Sequence, residues 1–201
     1  MSIELWNTLA AFGTFIVIAV TAIAAMVELR HLRAGNQLSA VFAIDERLQA
    51  PDFLDARILV RGRLASALED RAFRGYLAAE AAGRATRDVP PDYDTVRDAA
   101  RLVANRYESL GVLVKNRTIE SMQFLDAYAN NVNRAWADLE KYVALSRDVS
   151  GHSLYENFEY LAVISEDWLN AHPDTYPRNT RRKQLRNPWP VDEMSSASVE
   201  G

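Results

Sequence analysis

Residues 9–27 run for 19 positions without a charge, and their apolar side chains fall on every face of a helix rather than along one stripe. At about 1.5 Å per residue the run is roughly 28 Å long, close to the hydrocarbon thickness of a bilayer. The pattern predicts a transmembrane helix over residues 9–28, after a short N-terminal segment, residues 1–8. A cleaved signal peptide is the competing reading, since Ala22-Ile23-Ala24 resembles a cleavage site; against it, residues 1–8 carry no basic side chain and only the charge of Glu4.

Past the span, Leu29, Leu32, Leu38, Val41, Phe42 and Leu48 keep helical spacing, so the same helix is expected to continue to Pro51. A new helix then starts with Asp52 as a candidate N-cap, and Phe53, Leu54, Ile58, Leu59, Leu64 and Leu68 supply its apolar positions. A shorter piece covers residues 72–82, and residues 83–94, with Pro90-Pro91, read as a loop whose end starts the next helix near residues 92–95. That helix carries the stripe Val96, Ala100, Val103, Tyr107, Leu110 and Val114. Thr118 is the expected cap of its successor, in which Met122, Leu125, Ala129, Val132, Trp136, Leu139 and Val143 alternate steps of three and four. Gly151 breaks that helix, and Ser153 with Glu156 forms a capping box for a last one ending near Ala171, before Pro173. Period-two alternation is absent. The fold class is therefore all-α: an N-terminal transmembrane helix continuing into a cytoplasmic helical bundle over residues 29–171. Residues 172–201 form a disordered tail, basic and then acidic.

Charge decides the orientation. Arg30, His31 and Arg33 follow the span while no cationic side chain precedes it, which places the bundle in the cytoplasm and the N-terminus outside; Trp6 sits where an interfacial aromatic belongs. Only Lys115, Lys141 and Lys183 among 23 basic residues are lysine, and this arginine bias beside abundant alanine points to a GC-rich bacterial source and a bacterial inner membrane. The Asn116-Arg117-Thr118 sequon has no use in such a domain. The absence of cysteine excludes disulfides, thiolate metal sites and a cysteine nucleophile, and the net charge of −4 disfavours a specific nucleic-acid partner.

Candidate chemistry is thin. Glu28 and His31 have the spacing of a di-iron ligand pair, but no second Glu-x-x-His exists and His152 and His172 are distant in sequence, so a membrane-interface role explains them better. No catalytic residue, metal site or cofactor is expected. Glu156, Glu159, Glu166 and Asp167 on the last helix read as a cap and a solvated face rather than paired acid and base. Arg178, Arg181, Arg182, Lys183 and Arg186 in the tail could contact anionic lipid. Ala11, Thr14, Ile18, Thr21 and Ala25 form a mostly small-residue stripe suited to helix association in the bilayer.

The juncture residues 29–33 with Asn36-Gln37, the segment 107–114, Trp136 and the segment 158–162 together resemble a family of bacterial single-pass proteins, the domain of unknown function numbered four-seven-six-zero. The resemblance runs from the anchor to about Ala171 and implies a membrane-anchored helical domain, without catalytic residues or substrate. The expected role is a membrane-tethered interaction or scaffold module, not an enzyme, whose partners are the bilayer, an unidentified protein and a second copy of itself. A self-associating pore-forming effector is the alternative, and a metal-dependent hydrolase using Glu156, Glu159 and a histidine comes third.

Overall fold

The computed structural model describes residues 3–84, 89–177 and 179–185; within the first helix, the side chains at positions 5, 8, 9, 33–38, 40 and 41 lie outside that description. Residues 3–171 are built from α1 (Ile3–Leu48), α2 (Pro51–Leu59), a π-helical turn (Val60–Leu64), α3 (Ala65–Glu69), α4 (Arg71–Ala81), α5 (Pro91–Lys115), α6 (Ser121–Ser150) and α7 (Glu156–Ala171). No strand occurs among the described residues.

The α1 helix is 46 residues long. Its segment Ala10–Leu32, 23 residues with mean hydropathy 2.4, has no buried residue and is long and apolar enough to cross a membrane. Inside it the Thr14 and Thr21 hydroxyls donate to the carbonyls of Ala10 and Val17, at 2.9 and 2.8 Å, which leaves neither donor unpaired on an apolar surface. The helix continues without a break, as its spacing predicts, and its far end docks: Ile44 and Leu48 are buried, and the Tyr128 hydroxyl donates to Asp45 Oδ1 at 3.1 Å.

Several boundaries correct the sequence-based expectations, each through a local backbone rule. Pro51 holds Ala50 extended (ψ 133°) and occupies the first helical position, so Ala50 is the N-cap and Asp52 lies inside the first turn. Pro90 and Pro91 act the same way on α5, which starts at Pro91 instead of at residues 92–95. Arg117 takes a left-handed conformation (φ 56°) that ends α5, with the Thr118 N–H on Leu113 O and the Arg117 N–H on Val114 O. Thr118 is thereby committed to closing α5, and Glu120 becomes the N-cap of α6. Met122, assigned to the α6 stripe, is 69% exposed, because Phe124 fills the core at that level and packs on Tyr128 with ring centroids 5.2 Å apart.

The π-helical turn has a packing reason. Ala56, Val60, Leu64 and Leu68 are all buried at steps of four, and in a pure α-helix each such step rotates the stripe by about 40°. The wider turn at Val60–Leu64 takes up part of that rotation and keeps Leu64 facing inward. Phe53 and Leu64, Tyr107 on α5, Leu139 on α6 and Phe158 on α7 are the fully buried centre of the core. Residues 172–177 and 179–185 belong to a separate unit of turns and irregular chain.

Leu64→Ala is expected to destabilise the bundle by about 2–5 kcal/mol, whereas Ser165→Ala, which removes a fully buried hydroxyl lacking a hydrogen-bond partner, leaves stability unchanged or raises it. Denaturant unfolding of the solubilised chain measures both.

Candidate functional site

Three of the segments quoted for the family resemblance meet at one joint. Tyr107 stacks on Phe158 with centroids 5.1 Å apart, and Trp136 meets the same ring edge-on at 5.0 Å. One helical position along, the Glu108 carboxylate accepts the Phe158 backbone N–H at 2.8 Å and the Asn157 side-chain amide at 2.7 Å. Phe158 is the third residue of α7, so a carboxylate from α5 satisfies a donor that the helix cannot satisfy itself, at its positive end. Gly111 makes this approach possible: a Cβ there would lie 2.1 Å from Asn157 O. Lys115 Nζ completes the joint on Asn157 Oδ1 at 3.1 Å.

This corrects the capping box expected from Ser153 and Glu156. Gly151 (φ 98°) and Tyr155 (φ 58°) both take positive φ in the connecting turn, which brings the start of α7 to Glu108, and α7 begins at Glu156, later than a cap at Ser153 would start it. Arg147 fixes the turn, donating from Nε to Leu154 O at 2.8 Å and pairing with Glu159 at 2.8 Å.

A second network ties α4 to α5. The Arg97 side chain, 15% exposed, pairs with Glu80 at 3.1 Å, Asp94 at 2.9 Å and Asp98 at 2.9 Å, and donates to the Tyr76 hydroxyl. Tyr76 in turn donates to Asp94 at 2.5 Å; burial, then that bond, push its phenol far above the ordinary value. Asp70 caps α4 by accepting the Ala72 N–H at 2.8 Å and also accepts the Tyr93 hydroxyl. The Tyr93 bond, followed by the backbone bonds, holds the Asp70 carboxyl below its usual range.

Two clefts on the bundle are lined by described residues. One, of about 290 Å³, is lined by Asn133, Trp136, Glu159, Ala162, Val163 and Glu166 between α6 and α7. The other, of about 140 Å³, lies between α4, α5, α6 and the turn after α6. Of the carboxylates on the last helix, Glu159 and Glu166 line the larger cleft, with Glu159 paired to Arg147, whereas Glu156 lies 3.9 Å from Lys115 and Asp167 is exposed. Among the described residues, no three His, Asp or Glu side chains group as a metal-ion cluster.

The predicted membrane-interface residues Trp6, Arg30 and His31 are exposed, as are Ala11, Thr14, Ile18, Thr21 and Ala25 of the small-residue stripe; the Arg33 side chain lies outside the described residues. In the tail, Arg182 pairs with Asp174 at 2.5 Å and covers the Tyr176 ring at 4.5 Å, while Arg181 and Lys183 are exposed. Arg178 and Arg186 lie outside the described residues. No sequence pattern singles out Arg97 or Tyr142, and Glu108 enters only within the family segment 107–114. A glycine inside the strong α5 pattern was the one local sign that another backbone comes close there.

These features define a helical domain carried on one N-terminal helix long and apolar enough to span a membrane. The chain belongs to the family described as a domain of unknown function, DUF4760, whose model matches residues 15–168, from within the apolar helix to Trp168 on α7. No curated protein and no solved structure matches it significantly.

Gly111→Ala is expected to cost about 1–3 kcal/mol or more, since the obstructing atom is backbone and cannot swing away. Glu108→Ala is expected to cost about 1–3 kcal/mol by leaving the α7 donor unsatisfied; amide exchange at Phe158 reports it selectively. For Asp70 the folded carboxyl titrates below the unfolded one, so its stabilisation is present at neutral pH and lost as pH falls through the folded value. Tyr93→Phe should move the Asp70 titration, followed by NMR, back toward 3.8.

Proposed function

We propose that this protein is a bacterial membrane-anchored interaction module: a single span holds a cytoplasmic helical bundle near the inner membrane, and binding rather than chemistry is its output. One observation carries the reading. The apolar segment of α1 is wholly unburied, yet the same helix runs on uninterrupted until Ile44 and Leu48 enter the core. Hydrocarbon is the solvent that accommodates such a surface, and removal of the span as a signal peptide near Ala24 would leave the remaining apolar turns of α1 in water. From Leu32 to Ile44 the helix rises about 18 Å, which sets the bundle off the membrane surface on a rigid stalk. Arg30, His31 and Arg33 support the cytoplasmic orientation.

Self-association through Ala11, Thr14, Ile18, Thr21 and Ala25 is the second reading, favoured by the exposure of that whole stripe. The two threonine hydroxyls already bond within their own helix, so the stripe offers close packing rather than interhelical hydrogen bonds.

A C-terminal alkaline phosphatase fusion should be inactive and a fluorescent-protein fusion bright, and Arg30→Glu with Arg33→Glu should reduce that bias; an active phosphatase fusion on the unmodified chain overturns the orientation. Crosslinking in native membranes should recover one defined protein partner or a self-oligomer, and recovery of neither overturns the interaction reading. Thr14→Leu with Thr21→Leu abolishes the oligomer if the stripe builds it.

A further inference from the structure

The smaller cleft is lined by Leu77 and Glu80 of α4, Arg101 of α5, Tyr142 and Ser146 of α6, and Tyr155 of the following turn, among others. Its volume, about 140 Å³, sets the scale of an occupant: a cavity near 150 Å³ takes one benzene-sized molecule, about six to eight non-hydrogen atoms. A nucleotide, a haem or an acyl chain is too large, and the wall of hydroxyl groups is wrong for a hydrocarbon.

The lining has directional chemistry. Tyr142 and Tyr155 are both buried, their ring centroids 6.4 Å apart. Each phenol carries one O–H donor and an acceptor oxygen. Burial pushes both phenols above the ordinary value, so both stay protonated at neutral pH. Ser146 Oγ gives its own proton to Tyr142 O at 2.7 Å, which leaves its lone pairs as acceptors. Arg101 lies 3.6 Å from Glu80, whose closer partner is Arg97 at 3.1 Å. The Arg101 guanidinium is 57% exposed and therefore retains donors in its planar fork. Tyr155 is held with φ 58°, a conformation disfavoured for any residue with a Cβ, and strain of this kind concentrates at ligand clamps.

We propose that this cleft binds a small hydroxy- or oxo-carboxylate, with Arg101 taking the carboxylate and the Tyr142, Tyr155 and Ser146 hydroxyls the second oxygen. The assignment is independent of what the bundle binds at the membrane. It makes the domain responsive to a compact metabolite, because the occupant would bridge α4, α5, α6 and the turn that positions α7.

The test uses the full chain in lipid nanodiscs with L-lactate and pyruvate as probes, and propionate and inorganic phosphate alongside. The expected result is saturable perturbation of the Tyr142 and Tyr155 ring resonances by lactate or pyruvate at millimolar concentration, with propionate weaker by about fivefold or more. Arg101→Met should weaken the better probe about tenfold, Arg101→Lys less, and Tyr155→Phe severalfold, with the unliganded melting temperature of the Arg101 variants unchanged. No saturable shift up to about 20 mM overturns the proposal, as does equal affinity in Arg101→Met or tighter binding of phosphate than of either carboxylate.

Discussion

The N-terminus of α7 cannot satisfy its own backbone donors, and the bundle is arranged around how that need is met. Glu108 reaches across from α5 to take the Phe158 N–H, which requires the two backbones to come closer than any side chain at position 111 would allow. Once Gly111 permits that distance, Phe158 is pressed between Tyr107 and Trp136, and the aromatic contact unites α5, α6 and α7. The close approach, the cap and the aromatic stack therefore depend on one another. Loss of the approach would leave a buried donor unpaired and open a gap in the centre of the core at the same time.

This joint also gives a physical meaning to the segments shared with the family. Residues 107–114, Trp136 and residues 158–162 carry the family resemblance, which implies no catalytic role for them. In the fold they converge on a structural contact, and the chemistry that remains free for a ligand or partner lies elsewhere: in the cleft beside Tyr142 and Tyr155 and on the α6–α7 groove.

The apolar helix imposes the other constraint. Ala10–Leu32 finds no protein surface to cover it, whereas Ile44 and Leu48, on the same unbroken helix, are buried in the bundle. One rigid element thus passes from a segment long and apolar enough to cross a membrane to a segment buried in the bundle core. Any tilt or rotation of the first is transmitted directly to the second, since neither Pro nor a turn intervenes before residue 50. The Tyr128–Asp45 bond holds the docked end against α6.

Periodicity alone determined that the chain is helical, that α1 is long and continuous, and that α5 and α6 are the main core helices, because those features arise from side-chain spacing within one segment. Terminal positions were less legible where two local rules compete: proline geometry displaced the Asp52 cap, and the left-handed Arg117 took Thr118 away from α6. What the tertiary structure alone decided were the contacts between distant segments. Glu108 looks like any exposed helical carboxylate until α7 arrives, and Glu156 and Glu159, adjacent on a helical face, are drawn apart by Lys115 and Arg147. The cleft around Tyr142, Tyr155 and Arg101 joins residues 41 to 54 positions apart along the chain, or 13 apart across the turn. No spacing rule within a helix reaches that far, because it is the packing of whole helices against one another that closes such distances.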